Sequence, residues 1–222
     1  PTYFPSFDAA QEDLASYFLQ LDFSKKILLA PGSAFKYQFD FYKIYADVAQ
    51  ALDGVQIVFF EYDSIIFERN KKKLIEEFSQ RGIDLDKLVF MGWLDQKKYR
   101  YLQEKSYLML DSLGFSGINT VLQALNAGLP VVTQRGKYLR SRLGSGVLDA
   151  AGMGKWVAET PEDYVRLVCD LVQKPDLYAA YREDLAHAGG TLFNNRACID
   201  EFFEIFRSLH RNRTVGAAAS TH

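Results

Sequence analysis

Apolar positions along the chain fall into two alternating patterns. Short, nearly continuous apolar runs of strand length occur at Lys26–Ala30, Val55–Phe60, Leu88–Met91, Tyr107–Leu110, Pro130–Thr133 and Lys155–Ala158. Runs of this kind suit parallel strands covered on both faces. Between them lie segments whose apolar residues recur three and four apart, the period of an amphipathic helix. Asp40–Leu52 turns Tyr42, Tyr45, Ala46 and Ala49 inward, and Ser64–Gln80 does the same with Phe67, Leu74, Ile75 and Phe78. Ser64, Asp95 and Thr160 are predicted N-caps, Thr160 being followed by Pro161 and two acids; Gly82 and Gly128 mark helix exits. Further helices are expected at Gln96–Glu104, Thr120–Ala127, Ser141–Ala151, Pro161–Gln173, Asp176–Ala188 and Asn194–Leu209.

Six strands alternating with helices, then a helical finish, predict an α/β fold with one doubly wound, mostly parallel sheet. One domain is expected over residues 1–210. Its lead-in, residues 1–24, is irregular, with a short helix from Asp8 that places Leu14, Tyr17, Phe18 and Leu21 on one face. The small, polar tail 211–222 is expected to be disordered.

Composition narrows the function classes. The 222 residues are 48% hydrophobic and 24% charged, with a formal net charge of −2. No global basic field draws such a chain to nucleic acid or to an anionic membrane. The compact basic run Lys71-Lys72-Lys73 reads as the solvated face of a helix. Cys169 and Cys198 lie in apolar helical patterns and read as buried free thiols, in keeping with a cytoplasmic setting. No apolar run approaches the ~18 residues of a membrane span, and no secretory leader is visible. The first residue is Pro1, so the chain is expected to be a piece of a longer protein.

Ligands of doubly wound sheets bind beyond the carboxyl ends of the strands. That rule selects the loops at Pro31–Tyr37, Glu61–Ile65, Gly92–Asp95, Asp111–Asn119 and Gln134–Tyr138. His187, His210 and His222 all fall in the last third, away from these loops, so neither a zinc site nor a histidine-based triad is indicated. Asp84-Leu85-Asp86 reads as a turn and cap rather than a metal motif. The glycine-rich dinucleotide, Walker and nucleophile-elbow motifs are absent.

Three features remain at the selected edge. Lys36 follows the first strand, where an ammonium neutralises a phosphate; the alternative is a surface lysine. Ser116–Thr120 opens a helix, whose free amides suit a diphosphate, although plain capping needs only Ser116 or Asn119. Tyr99 offers a ring to stack on a base, or simply covers the core.

Together these residues carry a resemblance. Asp111, Gly117-Ile118-Asn119-Thr120, Leu125 to Thr133, Arg142, Leu192-Phe193-Asn194 and, upstream, Phe35-Lys36 with Tyr45-Ala46 resemble the carboxyl-terminal lobe of GT-B glycosyltransferases. The likeness is to the O-linked N-acetylglucosamine transferases and the bacterial cytoplasmic N-glycosyltransferases, and covers about residues 26–210. It implies a Rossmann-like six-stranded donor lobe for UDP-N-acetylglucosamine or UDP-glucose, with no cofactor and no metal. Lys36 would meet the diphosphate as the catalytic cation. Ser116, Gly117, Asn119 and Thr120 would cradle it, Tyr99 would pack on the uracil, Leu94 would read the base edge, and Gln123 would bind the ribose. The implied chemistry is inverting transfer of a sugar to a side chain of an acceptor protein, in partnership with an N-terminal lobe missing here, so this piece is expected to be inactive alone. Ile118 and Gln123 depart from the family pattern, which has polar residues at the helix start and an acid at the ribose. These departures leave a non-catalytic nucleotide- or partner-binding domain of the same fold as the alternative.

Overall fold

The apolar runs form six strands in a computed structural model, which describes residues 14–37, 40–61, 64–193 and 196–219. They are β1 (Lys26–Ala30), β2 (Val55–Phe60), β3 (Leu88–Met91), β4 (Leu108–Leu110), β5 (Val131–Gln134) and β6 (Val157–Ala158). Every pairing is parallel, in the order β3-β2-β1-β4-β5-β6. β2 and β4 are buried at every residue, because helices cover both faces of the sheet.

The helices are α1 (Phe41–Ala51), α2 (Ile65–Gln80), α3 (Gln96–Lys105), α4 (Asn119–Asn126), α5 (Leu143–Ala150), α6 (Pro161–Gln173), α7 (Pro175–Leu192) and α8 (Ala197–Ala219). The expected caps are in place: Ser64 accepts from Phe67 N, Asp95 from Lys98 N and Thr160 from Asp163 N. α4 leaves through Gly128, whose φ of 71° lies in the left-handed region that favours glycine.

Several boundaries differ from the sequence pattern. Residues 154–156 form a 3-10 turn rather than the start of β6. The cause is tertiary: Trp156 buries its ring against Tyr181 at 4.8 Å, and its Nε1 donates to Asp184 at 2.6 Å. α5 begins only after a separate turn at Leu139–Ser141. α8 continues past Leu209 to Ala219, into the stretch whose composition suggested disorder. Lys71 is not merely solvated: it pairs with Glu61 at 2.7 Å and sits 4.9 Å from the Phe90 ring centroid. Leu14–Phe18 is a 3-10 turn; residues 8–13 of the expected lead-in helix, Asn194 of the expected last helix and the Cys198 side chain fall outside the described residues. Cys169 is half-buried and its thiol is pushed up by burial. No described helix is long and apolar enough to cross a membrane.

Candidate functional site

The strand order reverses between β1 and β4, so the chain leaves these two neighbours toward opposite ends of the sheet. A crevice therefore opens past Ala30 and Leu110. Two loops flank it, Pro31–Tyr37 and Asp111–Ile118. Phe35 and Phe115 join them edge to face, 5.7 Å between centroids, and Lys36 Nζ lies 5.2 Å from the Phe115 centroid.

Asp111 organises the second loop from inside. Its buried carboxylate accepts from Ser112 N at 3.0 Å, Gly117 N at 2.8 Å and Thr133 Oγ1 at 2.8 Å, and also from Ser116 Oγ. Ser116 Oγ in turn accepts from Gly144 N at 2.7 Å. Burial raises the Asp111 pKa; the bonds from Ser116, Gly117 and Thr133 and the nearby Lys36 charge oppose that shift. Tyr164 ties the same residue's carbonyl to the opposite helix layer, donating to Asp111 O at 3.0 Å. Tyr37 does likewise for β1, donating to Ala30 O at 2.7 Å.

This bonding decides how α4 begins. Ser116 is drawn inward to Asp111 and Gly144, and Asn119 is already inside the helix, so neither is the N-cap. Ile118 occupies that position, and no side chain caps the helix. The amides of the first turn are left for another acceptor, with the positive end of the helix dipole behind them. Gly117 is required here for space: a Cβ on it would lie 2.1 Å from Thr120 Oγ1.

Beside that helix start is a cavity of about 330 Å³. Thr120 and Gln123, one turn apart on α4, form one wall; Leu94, Gln96 and Tyr99 from the β3–α3 region face them, with Trp93, Phe60 and Pro31 completing the lining. Tyr99 is fixed edge-on by Phe60, 5.7 Å away at 72°. Trp93 is 78% exposed, an indole standing at the mouth.

Of the residues singled out from sequence, Leu94, Tyr99, Thr120 and Gln123 converge on this cavity. Asn119 is exposed at the helix start, and Lys36 is half-buried on the neighbouring loop without lining the cavity. Ser116 and Gly117 stand behind the site: both are buried, and the Gly117 amide is already given to Asp111. Trp93, Gln96 and Phe60 were not singled out, although Gly92-Trp93 falls in a loop that the strand-end rule selects. The central role of Asp111 is likewise a matter of tertiary contact. Among the described residues no group of His, Cys, Asp and Glu is arranged to hold a metal, and Asp84 caps its own turn by accepting from Asp86 N at 2.9 Å.

No protein-family model matches the chain. Curated relatives do match. A probable UDP-N-acetylglucosamine–peptide N-acetylglucosaminyltransferase SPINDLY of Arabidopsis thaliana is 33% identical over 142 residues, 63% of this chain and 15% of that protein. A UDP-N-acetylglucosamine–peptide N-acetylglucosaminyltransferase of Caenorhabditis elegans is 28% identical over 117 residues, 52% of this chain and 10% of that protein. The first matched relatives are covered over only 9% to 15% of their own length. Among solved structures, an O-GlcNAc transferase mutant from Thermobaculum terrenum superposes with a TM-score of 0.74 at 21% identity, over 87% of this chain and 38% of that one. Sequence and fold thus both resemble the carboxyl-terminal lobe of GT-B glycosyltransferases of the O-GlcNAc transferase type.

Proposed function

We propose that the chain is the donor-binding lobe of a protein glycosyltransferase and takes a UDP-sugar, UDP-N-acetylglucosamine or UDP-glucose. The observation that carries this reading is the cavity at the β1/β4 reversal, where Leu94, Tyr99, Thr120 and Gln123 meet beside an uncapped helix. The uracil packs on Tyr99, with backbone groups near Leu94 reading its edge. Gln123 bonds the ribose. The diphosphate lies at the start of α4 against Asn119 and Thr120, with Ser116 and Gly117 shaping the loop behind it.

The reaction is metal-independent inverting transfer. The acceptor atom bonds to the anomeric carbon as the bond from that carbon to the diphosphate breaks; UDP leaves with that bonding pair, and the acceptor's proton is released to water. The charge that develops on the leaving UDP is met by Lys36 and the helix N-terminus. An acceptor protein and a second lobe of ~100–200 residues complete the site, so the chain alone binds but does not transfer. The names of the matched peptide N-acetylglucosaminyltransferases support the protein acceptor, and the Anabaena Alr3699/HepE complex with UDP, at a TM-score of 0.65, supports the nucleotide.

Calorimetry with UDP and both UDP-sugars tests the reading. Lys36→Ala should weaken binding by about tenfold or more, the loss expected for one charge-assisted contact. No heat with any uridine diphosphate would sink it. One observation favours a second reading, a nucleotide-binding module without transfer: Ile118, 45% exposed at the helix start, has no polar side chain to give a diphosphate. Transfer of radiolabelled sugar by the full-length protein separates the two.

A further inference from the structure

A second cavity, about 430 Å³, opens near the start of α1 and shares no lining residue with the first. The Pro31–Tyr37 loop runs between the two, giving Pro31 to the first and Tyr37 to the second. The second cavity has a different chemical character. Tyr37, Phe41 and Tyr42 form an aromatic side, and Arg69, Lys73 and Arg140 bring three positive charges to its lining.

Asp40 is the acid in the lining, and it is engaged at the rim by Lys43 at 3.5 Å and by the Tyr42 hydroxyl at 3.0 Å. Among the described residues Arg69, Lys73 and Arg140 make no ion pair. Lys73 Nζ lies 5.4 Å from the Tyr42 ring centroid; Arg140 lies 5.5 Å from that of Tyr138 and donates from Nε to Gly114 O at 3.4 Å. Three cations against one acid leave a net charge of +2 around a concave space. Like charges held together repel, and a dianion with several acceptor oxygens relieves that repulsion better than a single carboxylate. Guanidinium groups also match the geometry of phosphate oxygens.

We infer that this cavity binds a phosphate group, either free or as a monoester whose organic stem lies on the aromatic side. The inference is independent of the nucleotide reading, since the two cavities have separate walls. It also places the occupant next to the Lys36 loop. Asn70, buried in the cavity wall, donates from Nδ2 to Ala34 O at 2.8 Å, and Ala34 opens the 3-10 turn that ends at Lys36.

The test titrates inorganic phosphate and phenyl phosphate by calorimetry in low-salt buffer. It compares the wild-type chain, Lys36→Ala and the double variant Arg69→Ala/Lys73→Ala, each with and without saturating UDP. Both substituted side chains of the double variant are exposed, and thermal melts check its fold. One phosphate per chain is expected, retained in Lys36→Ala and in the presence of UDP, and weakened about tenfold or more in the double variant. Tighter binding of phenyl phosphate identifies a monoester site, and equal binding a site for the free ion. The inference fails if neither anion binds the wild-type chain. It also fails if UDP or Lys36→Ala abolishes binding while the double variant does not, because the anion would then occupy the nucleotide cavity. Absence of UDP binding with phosphate binding intact would overturn the proposed function and leave this inference standing.

Discussion

Gly144 and Gly146 stand two residues apart in α5, and the fold predicts opposite outcomes for the same substitution. Alanine in place of glycine within a helix is ordinarily favourable by up to ~1 kcal/mol. At Gly146 a Cβ meets nothing within 4 Å, and the backbone is not in the left-handed region, so Gly146→Ala should realise most of that gain. At Gly144 the new Cβ would lie 2.5 Å from Asp111 Oδ2, 2.7 Å from Ser116 Oγ and 2.8 Å from Thr133 Oγ1. None of the three is the free end of a flexible side chain, since each is held by the hydrogen bonds of the Asp111 cluster. Relief therefore demands movement of the helix or loss of bonds. Overpacking costs about 1–3 kcal/mol, each broken bond adds about 1 kcal/mol, and the propensity gain offsets at most about 1 kcal/mol. With one bond lost, the balance is a destabilisation of about 1–3 kcal/mol, or roughly 2–12 °C in melting temperature for a domain of this size. Urea titrations followed by circular dichroism on the two variants give the comparison directly. If Gly144→Ala proves as stable as Gly146→Ala, the cluster is not the rigid support described here. Because the same cluster sets the start of α4, Gly144→Ala should also weaken UDP binding, whereas Gly146→Ala should not.

Other parts of the molecule give independent checks. The Tyr181 hydroxyl donates to Val131 O at 2.7 Å and accepts from Val131 N at 3.1 Å in a buried setting, so Tyr181→Phe should cost about 1–3 kcal/mol by chemical denaturation; a loss below about 0.5 kcal/mol would contradict the assignment. Asp184 is held below its ordinary pKa of 3.8 by hydrogen bonds from Lys155 and then Trp156. A carboxyl depressed in the folded state contributes stability above its unfolded pKa and loses it as pH falls through the folded value. Asp184→Asn should thus melt below the wild type at pH 7, with the gap closing as pH falls below about 3.8; a gap that stays constant with pH rules out the linkage. The chain has two tryptophans. Trp156 is buried and hydrogen-bonded, so a change in intrinsic fluorescence on adding UDP should come from Trp93 and vanish in Trp93→Ala, with little change in melting temperature.

Much of the architecture is legible because its causes are local or repetitive. Val55–Phe60 is recognisable as a central strand because burial on both faces requires an unbroken apolar run. Pro161–Gln173 has the expected limits because Thr160 and Pro161 act on their own backbone. The start of α4 was harder to read for the converse reason. Ser116 looks like a cap in its local context, but a carboxylate five residues earlier and an amide on another helix claim its hydroxyl. Similarly, Trp156 turns the chain before β6 through a bond to Asp184 on α7. Tyr99 and Thr120 could be anticipated at the sheet edge, and Gln123 through the family resemblance. Trp93 could have been, since its loop was already selected. The second cavity could not: Arg69 and Lys73 share a helix, but only the folded chain brings Arg140 to them from the far side of the sheet order.

The reversal between β1 and β4 also has a mechanical meaning. β1 matches β2 over five residue pairs, Lys26↔Val55 to Ala30↔Phe59, but meets β4 over only two, Leu28↔Leu108 and Leu29↔Met109. β4 and β5, and β5 and β6, likewise pair over two residues each, whereas β2 meets β3 over four. The sheet is therefore a well-knit half, β3-β2-β1, joined at this seam to a sparsely paired half, β4-β5-β6, and the proposed nucleotide cavity lies across the seam, with Pro31 and Phe60 on one side and Thr120 and Gln123 on the other. A ligand seated there acts as a clasp. Amide exchange in β1 and β4 should slow on nucleotide binding more than exchange in the outer strands, so the seam would report occupancy even when no atom in it touches the ligand.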